Sequence, residues 1–244
     1  MVRYAIAKAP YWLPTSNSGE TLMETPNPKR KSDRLFAAIQ AQDKEQTLHY
    51  LTQLLSDCGY YGGRAFIEQI QDHLSLQAGY AWLKEEGLFE QACEMLPNPL
   101  EQKVFDDVKR YGWHVRGVEP DETSPGFAYS IGLWHHFNHP EVILFGLPYE
   151  VMGRIINTIG EQVKAGTEFE AGKPYYEILE GYPCIFETVA NVQIGKFLCW
   201  ARWFYGYQDQ FPALQGFWPD KAGKFPWDEG FDSKFLPYQP LLCG

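Results

Sequence analysis

Three of the chain's six histidines fall within five positions of the stretch Leu133-Trp-His-His-Phe-Asn-His-Pro-Glu141, and a carboxylate follows two residues after the last of them. Imidazoles and a carboxylate so close together suit two kinds of chemistry. The first is metal binding: His135 and His139 are four residues apart and His136 and His139 three apart, so on a helix all three would share a face, as in zinc sites built on H-E-x-x-H. Against it, Asn138 and Pro140 oppose a continuing helix, and strand-like runs flank the stretch on both sides. The expectation is therefore a histidine-bearing loop, with His135, His136 and His139 as a metal set only in the alternative. The second chemistry is acid–base: His139 beside Glu141 has the composition of a general base and its orienter. The same pair would equally serve as a clasp, the imidazole donating to Glu141 or to a backbone carbonyl and pinning the loop.

Other reactive types are less persuasive. Ala128-Tyr-Ser-Ile-Gly132 resembles a relaxed nucleophile elbow, but an elbow needs a helix directly after the serine. None is expected to begin at Ser130, which reads as an ordinary strand residue. The five cysteines include no C-x-x-C pair, and Cys184 and Cys199 sit in apolar runs where a thiol stays protonated and inert. Both glycine-rich phosphate-loop patterns are absent, so no cofactor is expected. The C-terminal Trp218-Pro-Asp-Lys-Ala-Gly-Lys-Phe-Pro-Trp227 sets two indoles at the ends of a tight turn. A hairpin whose tryptophans pack on a sheet is one reading. An aromatic recognition surface made by Trp218, Asp220, Lys224, Phe225 and Trp227 is the functional one.

These residues depend on the elements around them. Residues 1–32 are rich in proline and read as an extended arm. Residues 33–100 carry leucines and isoleucines at helical spacing, with a break near Gln42-Asp43 and a helix end at Gly59, and read as a helical module. Cys58-Gly-Tyr-Tyr-Gly-Gly63 reads as a linker within it. From 101 to 244 a short helix precedes three strand-like runs, WHVRGV, GFAYSIGL and EVILFGL. A helix follows Pro148 with Val151, Ile155, Ile156, Ile159 and Val163 on its apolar face, and YPCIFETV is a further strand. Strands without strict βαβ alternation predict an α+β domain with a mostly antiparallel sheet.

Composition narrows the function classes. With 21 basic and 31 acidic residues the net charge is −10, and both halves of the chain are acidic. That excludes the concentrated basic face a nucleic-acid partner requires and suits a basic protein partner. No apolar run has the length of a membrane span, and the N-terminus makes a poor signal peptide, so a cytoplasmic location is expected.

Several ordered motifs carry a resemblance. Gly126-Phe-Ala-Tyr-Ser-Ile-Gly-Leu133, His139-Pro-Glu141, Gly146-Leu-Pro148, Gln215-x-x-Trp218-Pro-Asp220 and Phe225-Pro-Trp227 resemble the bacterial domain of unknown function 4262 family, over roughly residues 104–240. Residues 1–100 look like an added module. The resemblance implies no established activity. It does imply that His139 belongs to a family motif while His135 and His136 fall at variable positions, which weakens the three-histidine metal set.

Two functions are carried forward. One is a protein-binding protein, an antidote to a basic toxin domain being its sharpest form. The other is a small-molecule enzyme or cofactor binder with a pocket between the His139–Glu141 loop and the Trp218–Trp227 turn.

Overall fold

The computed structural model describes residues 31–71, 77–207 and 211–243. The arm read over residues 1–32 lies outside the described residues up to residue 30. At Lys31 the first helix has already begun.

The chain divides into two compact units, one running to Gln102 and taking in Trp203–Tyr207, the other comprising Lys103–Arg202 and residues from 208 onward. The first is helical: α1 (Lys31–Gln40), α2 (Lys44–Gln71), α3 (Gln77–Glu85), α4 (Leu88–Cys93) and the first turn of α5 (Pro99–Tyr111). The break between α1 and α2 falls where expected. Gln42 takes a positive φ of 52°, and the Asp43 carboxylate caps α2 by accepting from the Gln46 backbone and side-chain amides.

The glycine stretch differs from its reading as a linker. The helical backbone breaks at Gly59 as expected, at φ 69°, ψ −176°, but a second helical run follows at once and continues to Gln71, so residues 60–63 are helix rather than linker. The reason is close packing. A Cβ at Gly59 would lie 1.8 Å from the Trp203 carbonyl oxygen, Tyr60 stacks on Phe204 at 5.8 Å, and the Trp203 indole donates to the Ser56 carbonyl. Cys58–Gly63 is thus the seat for Trp203–Tyr207.

The second unit is α+β. Its strands are β1 (His114–Val118), β2 (Phe127–Ile131), β3 (Glu141–Phe145), β4 (Pro174–Leu179), β5 (Tyr182–Thr188) and β6 (Ala213–Phe217). They form one sheet in the order β1-β2-β3-β6-β5-β4. Every pairing between these six strands is antiparallel except β3 with β6, so the mostly antiparallel α+β expectation holds. β4 has no counterpart among the expected strands, and β6 runs where a turn is expected ahead of Trp218. The helices are α6 (Leu133–Phe137), α7 (Tyr149–Lys164), α8 (Asn191–Phe197) and α9 (Cys199–Phe204).

The central strands β2, β3 and β6 are buried along their whole length, so both sheet faces must be covered. On one face α7 places Met152, Ile155, Ile156, Ile159 and Val163 against Ala128, Val142, Leu144, Leu214 and Phe186. On the other, Phe197 of α8 meets Phe127 and Phe145 edge-on at 5.6 and 5.4 Å. The Trp200 backbone N–H of α9 donates to the Tyr129 hydroxyl at 3.1 Å.

Candidate functional site

The histidine stretch folds as one short helix, α6, entered through Gly132 (φ 115°) and left through Asn138 (φ 55°). Asn138 therefore acts as expected, but after five helical residues. Glu141 opens β3 and is fully buried. Its Oε1 accepts the Gly132 and Trp134 backbone N–H groups at 2.8 and 3.2 Å, and its Oε2 accepts the Ser130 hydroxyl. The β2–β3 ladder ends at Tyr129–Ile143. Beyond it, Ser130 Oγ takes the Val142 N–H at 2.9 Å. A carboxylate thus satisfies amides at the start of α6, which no residue on the helix itself caps. Ser130 is no accessible nucleophile: it is wholly buried and spends its hydroxyl on this join.

His139 does not meet Glu141. Its Nδ1 donates to the Pro140 carbonyl at 2.7 Å, and its Nε2 accepts the Phe169 N–H at 3.2 Å. One nitrogen donates and the other accepts, which requires the neutral ring. Burial accordingly holds the imidazole below its ordinary value, against the opposing pull of the Pro140 bond. His135 and His136 pack edge-on to each other at 4.6 Å, and among the described residues no three metal-ligating side chains converge. The Cys184 thiol is pushed up to about 12 by burial. Cys199, expected in an apolar interior, is exposed at the start of α9.

The aromatic turn divides between interior and surface. Trp218 is buried, its indole donating to the Phe145 carbonyl at 3.0 Å, and Gln239 brackets its backbone N–H and carbonyl. Asp220 is interior and organises the loop by accepting from Ala222, Lys224 and Asp232 N–H groups. The Lys224 amide foremost holds its carboxyl below the usual range. Phe225 is buried, and Trp227 stacks on it at 5.3 Å while staying half exposed. Of the five residues read as a recognition surface, only Lys224 and Trp227 reach solvent. Nor does the turn share a pocket with the His139–Glu141 loop. In the parallel register Glu141 stands beside Ala213 and Leu144 beside Gly216. The loop is therefore at the start of β3 and the turn beyond the end of β6, roughly 16 Å apart along the strands.

Two groupings were not legible in the sequence. At one sheet edge, His114 Nδ1 bonds Asp107 Oδ2 at 2.7 Å, and Lys103 holds the same carboxylate at 3.0 Å. Burial works to raise Asp107, but the bonds from His114 and Lys103 outweigh it and lower it. Burial lowers His114 against the pull of Asp107. Seven residues across a helix end and a turn have no meaning as a spacing, so no motif pointed to this pair. At the opposite edge, β4 and β5 lie in a segment, 168–187, with Glu168, Glu170, Glu177, Glu180 and Glu187 against a single lysine. That lysine, Lys173, is already paired with Glu170. Tyr176 is 70% exposed and Tyr182 38%.

The lowered histidines make a stability prediction. The unfolded chain takes up protons near pH 6.5, whereas folded His139 and His114 resist them. Stability should be complete above about pH 6.5 and fall as the pH drops below it, by at most about 1.4 kcal/mol per pH unit for each imidazole. Melting temperatures from pH 8 to 5 test this; a profile flat to pH 5.5 would contradict it, and His139→Asn should flatten the slope.

No curated protein and no solved structure matches the chain. The family described as Domain of unknown function (DUF4262) matches residues 107–232, more than half of it, and leaves the N-terminal helices outside. The match runs from the Asp107–His114 pair to the end of the loop that Asp220 organises, so it takes in the sheet and all the motifs that suggested it, and the chain belongs to that family.

Proposed function

We propose that this is a cytosolic protein-binding protein whose acidic β4–β5 edge receives a basic segment of another protein, the neutralising of a basic toxin domain being the sharpest form of that role. One observation carries the reading. β4 is the last strand of the sheet and so presents backbone groups to a strand-like partner. Around it Glu168, Glu170, Glu177 and Glu180 are exposed together with Tyr176 and Tyr182. A second copy of the same edge would be repelled, whereas a lysine- or arginine-rich segment would be steered in and would bury the tyrosines.

Native mass spectrometry of the protein purified gently from its host identifies what travels with it. The expected companion is a basic protein whose affinity falls as salt rises. Glu177→Lys with Glu180→Lys should weaken that complex tenfold or more, about 1.4 kcal/mol, while leaving the melting temperature nearly unchanged, because both side chains are exposed. A companion held equally well by the doubly reversed variant would refute the reading.

A further inference from the structure

The opposite sheet edge carries a second arrangement, independent of the acidic hairpin. Along β1, alternate residues face the same way. Val115 packs into the α7 core, so His114 and Arg116 both point to the face covered by α9. Arg116 lies opposite Tyr129 in the β1–β2 register. Its guanidinium sits 4.7 Å over the Trp200 ring, and its Nε–H is buried without a hydrogen-bond partner. Among the described residues Lys31 meets Asp57, Lys44 meets Glu86, Arg64 meets Glu68 and Lys234 meets Asp232, while Arg110, Lys164 and Lys196 lie over aromatic rings as Arg116 does. Arg116 combines such a ring contact with a buried Nε–H that has no partner. A cation held over an aromatic ring keeps its fork in place without a carboxylate to neutralise it, the preparation that carboxylate recognition needs.

His114 completes the pair. Asp107 accepts from Nδ1, and a carboxylate tethered also to Lys103 can only accept, so the imidazole proton is held on Nδ1 and the Nε2 lone pair is left to receive a donor. Residues two apart on a strand are separated by about 6.6 Å, a span that one small molecule bridges. From the uncompensated Arg116 fork and the oriented His114 Nε2 on one strand face, we infer that the β1 edge binds a small carboxylate carrying a hydroxyl or amino donor close to its acid group. The carboxylate lies on Arg116 and its donor hydrogen-bonds His114 Nε2. Arg116 and Trp200 are half-buried while His114 is only 8% exposed, so the site is open at its Arg116 end and closed around His114.

The test uses the full chain and sodium lactate, with acetate and inorganic phosphate as comparison anions. Nitrogen-15 spectra follow the His114 Nε2 and Trp200 indole signals during titration. The expected result is a saturable shift of both with lactate, weaker binding of acetate, and at least a tenfold loss of lactate affinity in Arg116→Met. His114→Asn should keep acetate binding and lose the preference for lactate. Unchanged melting temperatures establish that these variants are folded. Should Arg116→Met lose its fold, Arg116→Lys replaces it, since a lysine keeps the charge but not the fork and should still lose lactate affinity. Lactate and acetate binding alike would refute the role given to His114. No saturable shift with any of the three anions, or equal lactate shifts in the Arg116 variants, would overturn the site. Because the acidic hairpin lies at the other edge, failure here leaves the protein-binding proposal standing, and the reverse also holds.

Discussion

Glu141→Ala is expected to remove about 3–5 kcal/mol from the sheet-bearing unit, lowering its melting temperature by roughly 10 °C or more. The carboxylate is fully buried and accepts from Ser130 Oγ and from the Gly132 and Trp134 amides. Its removal strands all three donors where water does not reach, at about 1–3 kcal/mol each, partly recovered by relaxation. Glu141→Gln keeps the shape but turns an NH2 group toward donors, and should fall between wild type and alanine. Ser130→Ala should cost less than either, because it leaves the two backbone bonds to α6 in place. Thermal unfolding followed by far-ultraviolet circular dichroism measures the series. If Glu141→Gln melts with the wild type, the charge is not what secures α6. If Glu141→Ala instead abolishes an activity at unchanged stability, the residue is a chemical group rather than a join.

Gly59→Ala should be nearly as damaging, in the helical unit. The glycine adopts φ 69° and ψ −176°, a region essentially restricted to glycine, and its Cβ would stand 1.8 Å from the Trp203 carbonyl oxygen. Main chain gives way less easily than a side-chain tip, so the substitution must straighten the kink or displace Trp203–Tyr207. The first choice strains α2. The second breaks the Trp203–Ser56 bond and the Tyr60–Phe204 stack. A loss of about 3 kcal/mol or more is expected, combining backbone strain with lost packing. Hydrogen exchange should report it as faster exchange across α1, α2 and α4 with the sheet little changed. An alanine variant whose helices exchange at the wild-type rate would show that the kink is accommodated otherwise.

Periodicity and composition are local properties, and on their own they determined a good deal of this protein. The apolar stripe of α7, the strands β1, β2, β3 and β5, the break at Gln42-Asp43 and the mostly antiparallel α+β layout follow from spacing, β-branched content and turn residues. The ordered motifs also marked the family correctly. What the motif residues do was decided only by tertiary structure, because each is a statement about a distant partner. His139 and Glu141 are two residues apart, yet one engages Phe169 and the other Ser130, Gly132 and Trp134. Their proximity in the chain suggested a pair that the fold does not make. Trp218 and Asp220 look like surface recognition residues by composition, but both are buried, Trp218 against the Phe145 carbonyl and Asp220 among the amides of its own loop. The parallel pairing of β3 with β6 puts the histidine loop and the aromatic turn at opposite ends of the sheet. Hydrophobic pattern names the buried residues of a strand, but not the strand that will lie beside it.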